Sequence, residues 1–318
     1  MEFVRRNCHS ANQVPRLLFS GLFVSCYLTR MSLLLFLVFA FGLFAQDRPS
    51  SCADCPAWNM PQQPFKIYGN TYYVGTHGLG SILITSSTGH VLIDGALPES
   101  VPQIVANIRS LGFRVEDIKL ILNSHVHFDH AGGIAELQKL SGARVTASQW
   151  TAEVMKKGIV PRDDPQFGVI IRIARVVRVT TFRDGETVQV GSVTVTAHLT
   201  AGHTPGGTSW TWRSCENSRC VNLVYADSLT PVSADGFLFT RSRQYPHAVA
   251  DFERSYAFLD DTPCDILITP HPDFSNLWQR LEQRSSNPNA LIDPSACRKL
   301  ADSSRERLRT RLAMEARP

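Results

Sequence analysis

His125-Val126-His127-Phe128-Asp129-His130-Ala131-Gly132-Gly133 sets three imidazoles and a carboxylate side by side, directly after the apolar run Ile118-Lys119-Leu120-Ile121-Leu122-Asn123. The run reads as a strand, so the cluster occupies the loop that opens from its end. Such a loop lets neighbouring side chains converge on one point, which successive residues of a helix cannot all do. Zinc takes imidazole nitrogen and carboxylate oxygen as ligands, so this density of both points to a metal rather than to structural histidines.

Two more histidines have the same setting. His203, in Ala201-Gly202-His203-Thr204-Pro205-Gly206-Gly207, follows a strand, and His271, in Thr269-Pro270-His271-Pro272, follows Ile266-Leu267-Ile268. Glycine or proline braces each one. His77, His90, His198 and His247 lack that framing and read as packing or surface residues, His77 keeping an alternative place near the metal.

Upstream, Lys66-Ile67-Tyr68, Thr71-Tyr72-Tyr73-Val74, Ser81-Ile82-Leu83-Ile84-Thr85 and His90-Val91-Leu92-Ile93-Asp94 predict an antiparallel meander. Val101, Ile104, Val105, Ile108 and Leu111 recur at helical spacing over Glu99 to Leu111. A helix through Gly133 to Leu140 and a strand over Ala143 to Ala147 complete a first half. The second half repeats the plan, with strands over Thr187 to Leu199, Thr208 to Trp212, Val221 to Ala226 and Asp265 to Thr269, and helices over Val249 to Leu259 and Ser295 to Met314. No linker of low complexity divides the halves, so they predict one α/β domain of two sheets between helix layers.

Of the 318 residues 43% are hydrophobic and 19% charged, an ordinary globular composition. The formal net charge is +4, but the first 45 residues hold Arg5, Arg6, Arg16 and Arg30 against Glu2, so the rest of the chain is close to neutral. That argues against a nucleic-acid partner. The apolar stretches Leu17 to Leu28 and Leu33 to Ala45 read as a signal peptide over residues 1–45, with cleavage near Ala45 and Met31 an alternative start; an uncleaved anchor is the other reading. Residues 46–318 then form the metal-binding domain. Outside the leader stand Cys52, Cys55, Cys215, Cys220, Cys264 and Cys297, an even number suited to disulfides in an oxidising compartment.

His-x-His-x-Asp-His followed by later single histidines resembles the metallo-β-lactamase superfamily. The run Gly202-His203-Thr204-Pro205-Gly206-Gly207-Thr208-Ser209-Trp210-Thr211-Trp212, with Tyr225-Ala226-Asp227-Ser228-Leu229-Thr230 and Thr269-Pro270-His271-Pro272, is similar to its subclass B3. The resemblance implies a four-layer αβ/βα sandwich. It also implies two zinc ions, one held by His125, His127 and His203, the other by Asp129, His130 and His271, and a metal-bound hydroxide that opens a β-lactam ring. Asp129 would orient the hydroxide, Ser228 would contact a zinc-bound water, and Thr230 and Gln166 would border the substrate. A periplasmic or secreted monomer acting on a small β-lactam follows, with antibiotic resistance as its consequence and no membrane contact once the leader is removed.

Cys215 and Cys220 are expected to close a hairpin-sized loop and Cys264 and Cys297 a longer one. Thr76-His77-Gly78 stands where a close relative has a cysteine that pairs with the N-terminal segment, so Cys52 and Cys55 either pair with each other or stay reduced. Two other functions stay open. A thioesterase or lactonase would use Asp227 to bridge the metals, although alternation along a strand keeps Asp227 and Ser228 from facing them together. An extracytoplasmic zinc-binding module would need no complete ligand set.

Overall fold

The strands Ile82–Ile84, His90–Ile93, Ile118–Leu122 and Ile266–Ile268 are covered on both faces, which is why they read as near-continuous apolar runs. The computed structural model describes residues 52–317; the expected leader lies outside them. The first half runs α1 (Cys55–Trp58), β1 (Phe65–Tyr68), β2 (Thr71–Tyr73), β3 (Ile82–Ile84), β4 (His90–Ile93), α2 (Val101–Ser110), β5 (Ile118–Leu122), α3 (Phe128–Ala131), α4 (Ile134–Ser141), β6 (Arg144–Ala147), α5 (Gln149–Lys157) and β7 (Val179–Thr181). The second runs β8 (Thr187–Val190), β9 (Val193–Leu199), β10 (Thr208–Glu216), β11 (Arg219–Tyr225), α6 (Ala248–Asp261), β12 (Ile266–Ile268), α7 (Leu277–Glu282) and α8 (Ala296–Glu315). β1 to β7 form one sheet in sequence order; the other has the order β12-β11-β10-β9-β8.

Alternation of side chains separates the layers. Leu83, Leu92 and Ile121 pack outward on Ile104 and Ile108 of α2, Leu137 of α4 and Met155 of α5. Their strand neighbours Ile82, Ile84, Leu120 and Leu122 point the other way, onto Val195, Trp210, Leu223 and Ile266 of the second sheet. Val224 and Leu267 face a third core with Phe252 and Tyr256 of α6 and Leu300 and Leu308 of α8. The order is helix, sheet, sheet, helix, the expected sandwich.

Strand direction brings the histidine-bearing loops together. β9 and β11 each pair antiparallel with β10, and β12 pairs parallel with β11, so β9, β11 and β12 all end on one edge. The loops after them carry His203, Ser228 with Thr230, and His271. The loop after β5 meets that edge through two bonds: Thr208 N donates to Ser124 O at 2.8 Å and Trp210 Nε1 to Asn123 O at 3.1 Å.

Some local expectations need correction. α5, β7 and α7 were not anticipated, and β10 and β11 extend further than their apolar residues suggest, meeting in a hairpin where Cys215 lies opposite Cys220. The N–H groups of the Gly132-Gly133 pair are bonded within the fold, Gly132 N donating to Phe128 O and Gly133 N to Ala96 O. Its role is close approach: a Cβ at Gly133 would stand 2.3 Å from Gly95 O and one at Gly132 2.2 Å from Phe128 O.

Candidate metal centre

The base of the site is a carboxylate. Asp94, fully buried at the end of β4 with φ 61°, accepts from Asn123 Nδ2 and Ser124 N at 2.8 Å each, from Ser124 Oγ at 2.6 Å and from Tyr225 OH at 2.8 Å. One side chain thus ties β4, β5 and β11 together directly beneath His125. The role of Asp94 is not legible in the sequence, because an aspartate before Gly95 at a strand end reads equally well as a turn former.

Three imidazoles converge above it. The ring centroids of His125 lie 4.8 Å from those of His127 and His203, which are 5.1 Å apart. Each ring is held from outside by one nitrogen. His125 Nδ1 bonds Asp227 Oδ1 at 2.7 Å, His127 Nε2 bonds Asp164 Oδ2 at 3.0 Å, and His203 Nδ1 donates to Thr230 O at 2.9 Å. One nitrogen of each ring lies within 4.8 Å of one from each of the other two. Gln166 Nε2 lies 3.4 Å from both His127 Nδ1 and His203 Nε2. Asp164, which also accepts from Gln166 N at 2.8 Å, is a second residue the sequence reading left without a role.

Beside this triad stand Asp129, His130 and His271. Asp129 Oδ2 is 3.1 Å from His130 Nε2 and 3.3 Å from His271 Nε2, and the two rings are 4.8 Å apart. His125, Asp129 and His130 form a second convergent group; His271, partly exposed, reaches it through Asp129. All six residues singled out from the sequence are therefore brought to one place. His77 is not among them: its ring stacks on Trp278 at 4.7 Å.

The donor chemistry suits a metal. Burial, with the neighbouring imidazoles, holds His125 well below the usual histidine range, and burial and His127 push His203 down to about 3, so both offer neutral nitrogens. Burial alone would raise Asp129, but His130 and His271 beside it hold the carboxyl well below its ordinary value. His130 Nδ1 is buried without a hydrogen-bond partner and its Nε2 has only the Asp129 carboxylate beside it, a costly arrangement that a bound cation would relieve. The imidazoles with an outer carboxylate or carbonyl have the pattern usual for zinc ligands.

The cluster floors a cavity of about 540 Å³. Ser228, Thr230 and Gln166 line it with Trp58, Phe128, Ile170, Val232 and Phe274, and none of its lining residues among those described is Lys or Arg. Trp58 comes from α1, its ring 5.2 Å from that of His271.

A family model described as the metallo-β-lactamase superfamily matches residues 81–215. Among solved structures, the Rm3 metallo-β-lactamase is 52% identical, with 84% of this chain and 100% of that one covered and a TM-score of 0.83. MEM-A1, a subclass B3 metallo-β-lactamase from a soil metagenome library, is 50% identical over 81% and 98%, TM-score 0.80. The chain belongs to the metallo-β-lactamase superfamily. Curated relatives in it include an N-acyl homoserine lactonase of Bacillus cereus, 27% identical over 25% of this chain and 42% of that protein. A hydroxyacylglutathione hydrolase of Methylobacterium nodulans is 36% identical over 32% of each. The chain spans less than half the length of these curated relatives.

Two further features bear on the site. Asp227 sits behind the His125 ring, on its Nδ1, while Ser228, the next residue, lines the cavity. And Cys52 is bonded to Cys55, alongside Cys215 to Cys220 and Cys264 to Cys297. Hydrogen bonds from Thr76-His77-Gly78 hold the N-terminal segment: Thr76 Oγ1 to Trp58 O at 2.6 Å, His77 N to Met60 O at 2.8 Å and Gly78 N to Trp58 O at 3.1 Å.

Proposed function

We propose that this chain is a β-lactamase of the subclass B3 kind, a hydrolase that holds two zinc ions, one on His125, His127 and His203 and the other on Asp129, His130 and His271. The observation that carries the reading is the convergence of these six side chains, three of the imidazoles fixed from outside so that a free nitrogen faces inward. Zinc bound there supplies Lewis acidity and lowers the pKa of water it holds to about 7.

The protein's own part is orientation. Asp227, Asp164 and the Thr230 carbonyl each fix the proton of one imidazole on its outer nitrogen, leaving the inner lone pair for the metal. Asp129, kept ionised by His130 and His271, is a ligand and an acceptor that orients water. Ser228, Thr230 and Gln166 bind substrate from one wall, Ser228 also touching water at the centre; Trp58, Phe128 and Phe274 keep bulk water off the other. With no Lys or Arg among the described lining residues, the carboxylate of a β-lactam is met by neutral donors from the protein.

The lactonase or thioesterase alternative needs Asp227 between the metals, and its place on the outer nitrogen of His125 counts against that role. Export completes the proposal: residues 1–45 are a cleaved signal peptide, and the three disulfides suit a monomer in the periplasm or outside the cell. No helix among the described residues is long and apolar enough to cross a membrane. Metal analysis with turnover tests the centre. The mature chain should carry close to two zinc ions, lose β-lactam hydrolysis to a chelator and regain it with zinc; full activity at one ion per chain would refute the two-metal reading.

A further inference from the structure

From Ala226 to His247, between β11 and α6, the chain forms neither helix nor strand. This stretch carries Ser228, Thr230 and Val232 on the cavity wall and the carbonyl that fixes His203. A segment with no ladder of its own must place its backbone groups elsewhere. Several of them go to the last turn of α8. Glu315 Oε1 accepts from Phe239 N at 3.0 Å, and Oε2 from Thr240 N and Thr240 Oγ1 at 2.9 Å each. Arg311 Nη2 donates to Ser233 Oγ and to Phe237 O at 2.7 Å each, and its Nε to Glu315 Oε1 at 2.8 Å. The guanidinium also lies over the Phe239 ring, 5.2 Å from its centroid.

A glutamate at the C-terminal end of a helix opposes the helix dipole, and glutamate is rarely buried unless paired. The Glu315 side chain is nonetheless only 2% exposed. Its bonds therefore serve the loop rather than the helix. On the loop's other side Ala234 N donates to Pro165 O at 2.9 Å, and Pro165 stands between Asp164, the partner of His127, and Gln166. Ser233 is three residues from Thr230. The last turn of α8 is thus joined through residues 233–240 to both segments that border the substrate.

We infer that Arg311 and Glu315 are positioning residues for substrate binding, holding the Thr230 and Gln166 walls of the cavity from the far end of the chain. This rests on the β-lactamase reading for its substrate. A purely structural role would lower the melting temperature and leave KM where it was; a positioning role moves KM with kcat and zinc content little changed. The full mature chain, Glu315→Gln, Arg311→Lys and the milder Ser233→Ala are compared by steady-state kinetics on one carbapenem and by amide hydrogen exchange without substrate. The expected result is a several-fold rise in KM for Glu315→Gln and Arg311→Lys, a smaller rise for Ser233→Ala, and faster exchange at Phe239 and Thr240. Unchanged KM in folded variants, or unchanged exchange at those amides, would overturn the inference. Wild-type protein that turns over no β-lactam would defeat the β-lactamase reading instead, so the two failures are told apart.

Discussion

Asp227 and Ser228 are adjacent in sequence and divide two tasks, one side chain behind the His125 ring and the other in the cavity. The pleat of the strand they continue makes that division, since successive side chains face opposite ways. At this scale the six proposed ligands were legible, four by their density in one loop and His203 and His271 by the glycine or proline beside each at a strand end. Asp94 and Asp164 were not: an aspartate before Gly95, or the second of the pair Asp163-Asp164 before Pro165, gives no sign of the partner the fold will bring to it. The same residue scale yields a kinetic prediction. Neutral hydrogen bonds contribute about 0.5 to 1.5 kcal/mol each, against about 1.5 to 3 for those to a charged group, so carboxylate binding should be spread over several contacts. Thr230→Ala should raise KM several-fold with kcat little changed, its carbonyl still holding His203, whereas Ser228→Ala should lower kcat. Steady-state parameters for one carbapenem decide this, and an unmoved KM in the first variant would remove Thr230 from the substrate site.

Among the elements, those buried on both faces were easiest to anticipate, since β3, β4, β5 and β12 present little but apolar side chains. α5 was missed although it has clear stops: the Ser148 side chain accepts from Thr151 N, and Gly158 takes a left-handed φ of 75° after its last residue. β7, with three residues at a sheet edge, leaves too little pattern to read. The bond between Cys264 and Cys297 spans 33 positions and joins the start of β12, which leads to His271, to α8. Opening it should cost about 3 to 4 kcal/mol on the chain-entropy account, most of it through the unfolded state. Denaturant unfolding of Cys264→Ala/Cys297→Ala checks the figure; a loss below about 1 kcal/mol would mean that the helix is held by its core contacts alone.

The whole molecule gathers its centre from loops scattered along the chain, on one edge where β9, β11 and β12 end and β5 meets them. Its N-terminal segment supplies Trp58 to the cavity and its C-terminal helix holds the opposite wall, so the site draws on both ends of the described chain. The chain is similar in part to an N-acyl homoserine lactonase and a hydroxyacylglutathione hydrolase as well as to metallo-β-lactamases, and fold alone does not choose among such activities. The choice rests on where Asp227 lies and on the wall formed by Ser228, Thr230 and Gln166. The most direct measurement is therefore kcat/KM of the zinc-loaded mature chain on a penicillin, a cephalosporin and a carbapenem, beside an acyl homoserine lactone and a glutathione thioester. At least one β-lactam class should be hydrolysed with kcat/KM well above that for the lactone or the thioester; turnover of either of those in preference to every β-lactam would contradict the account.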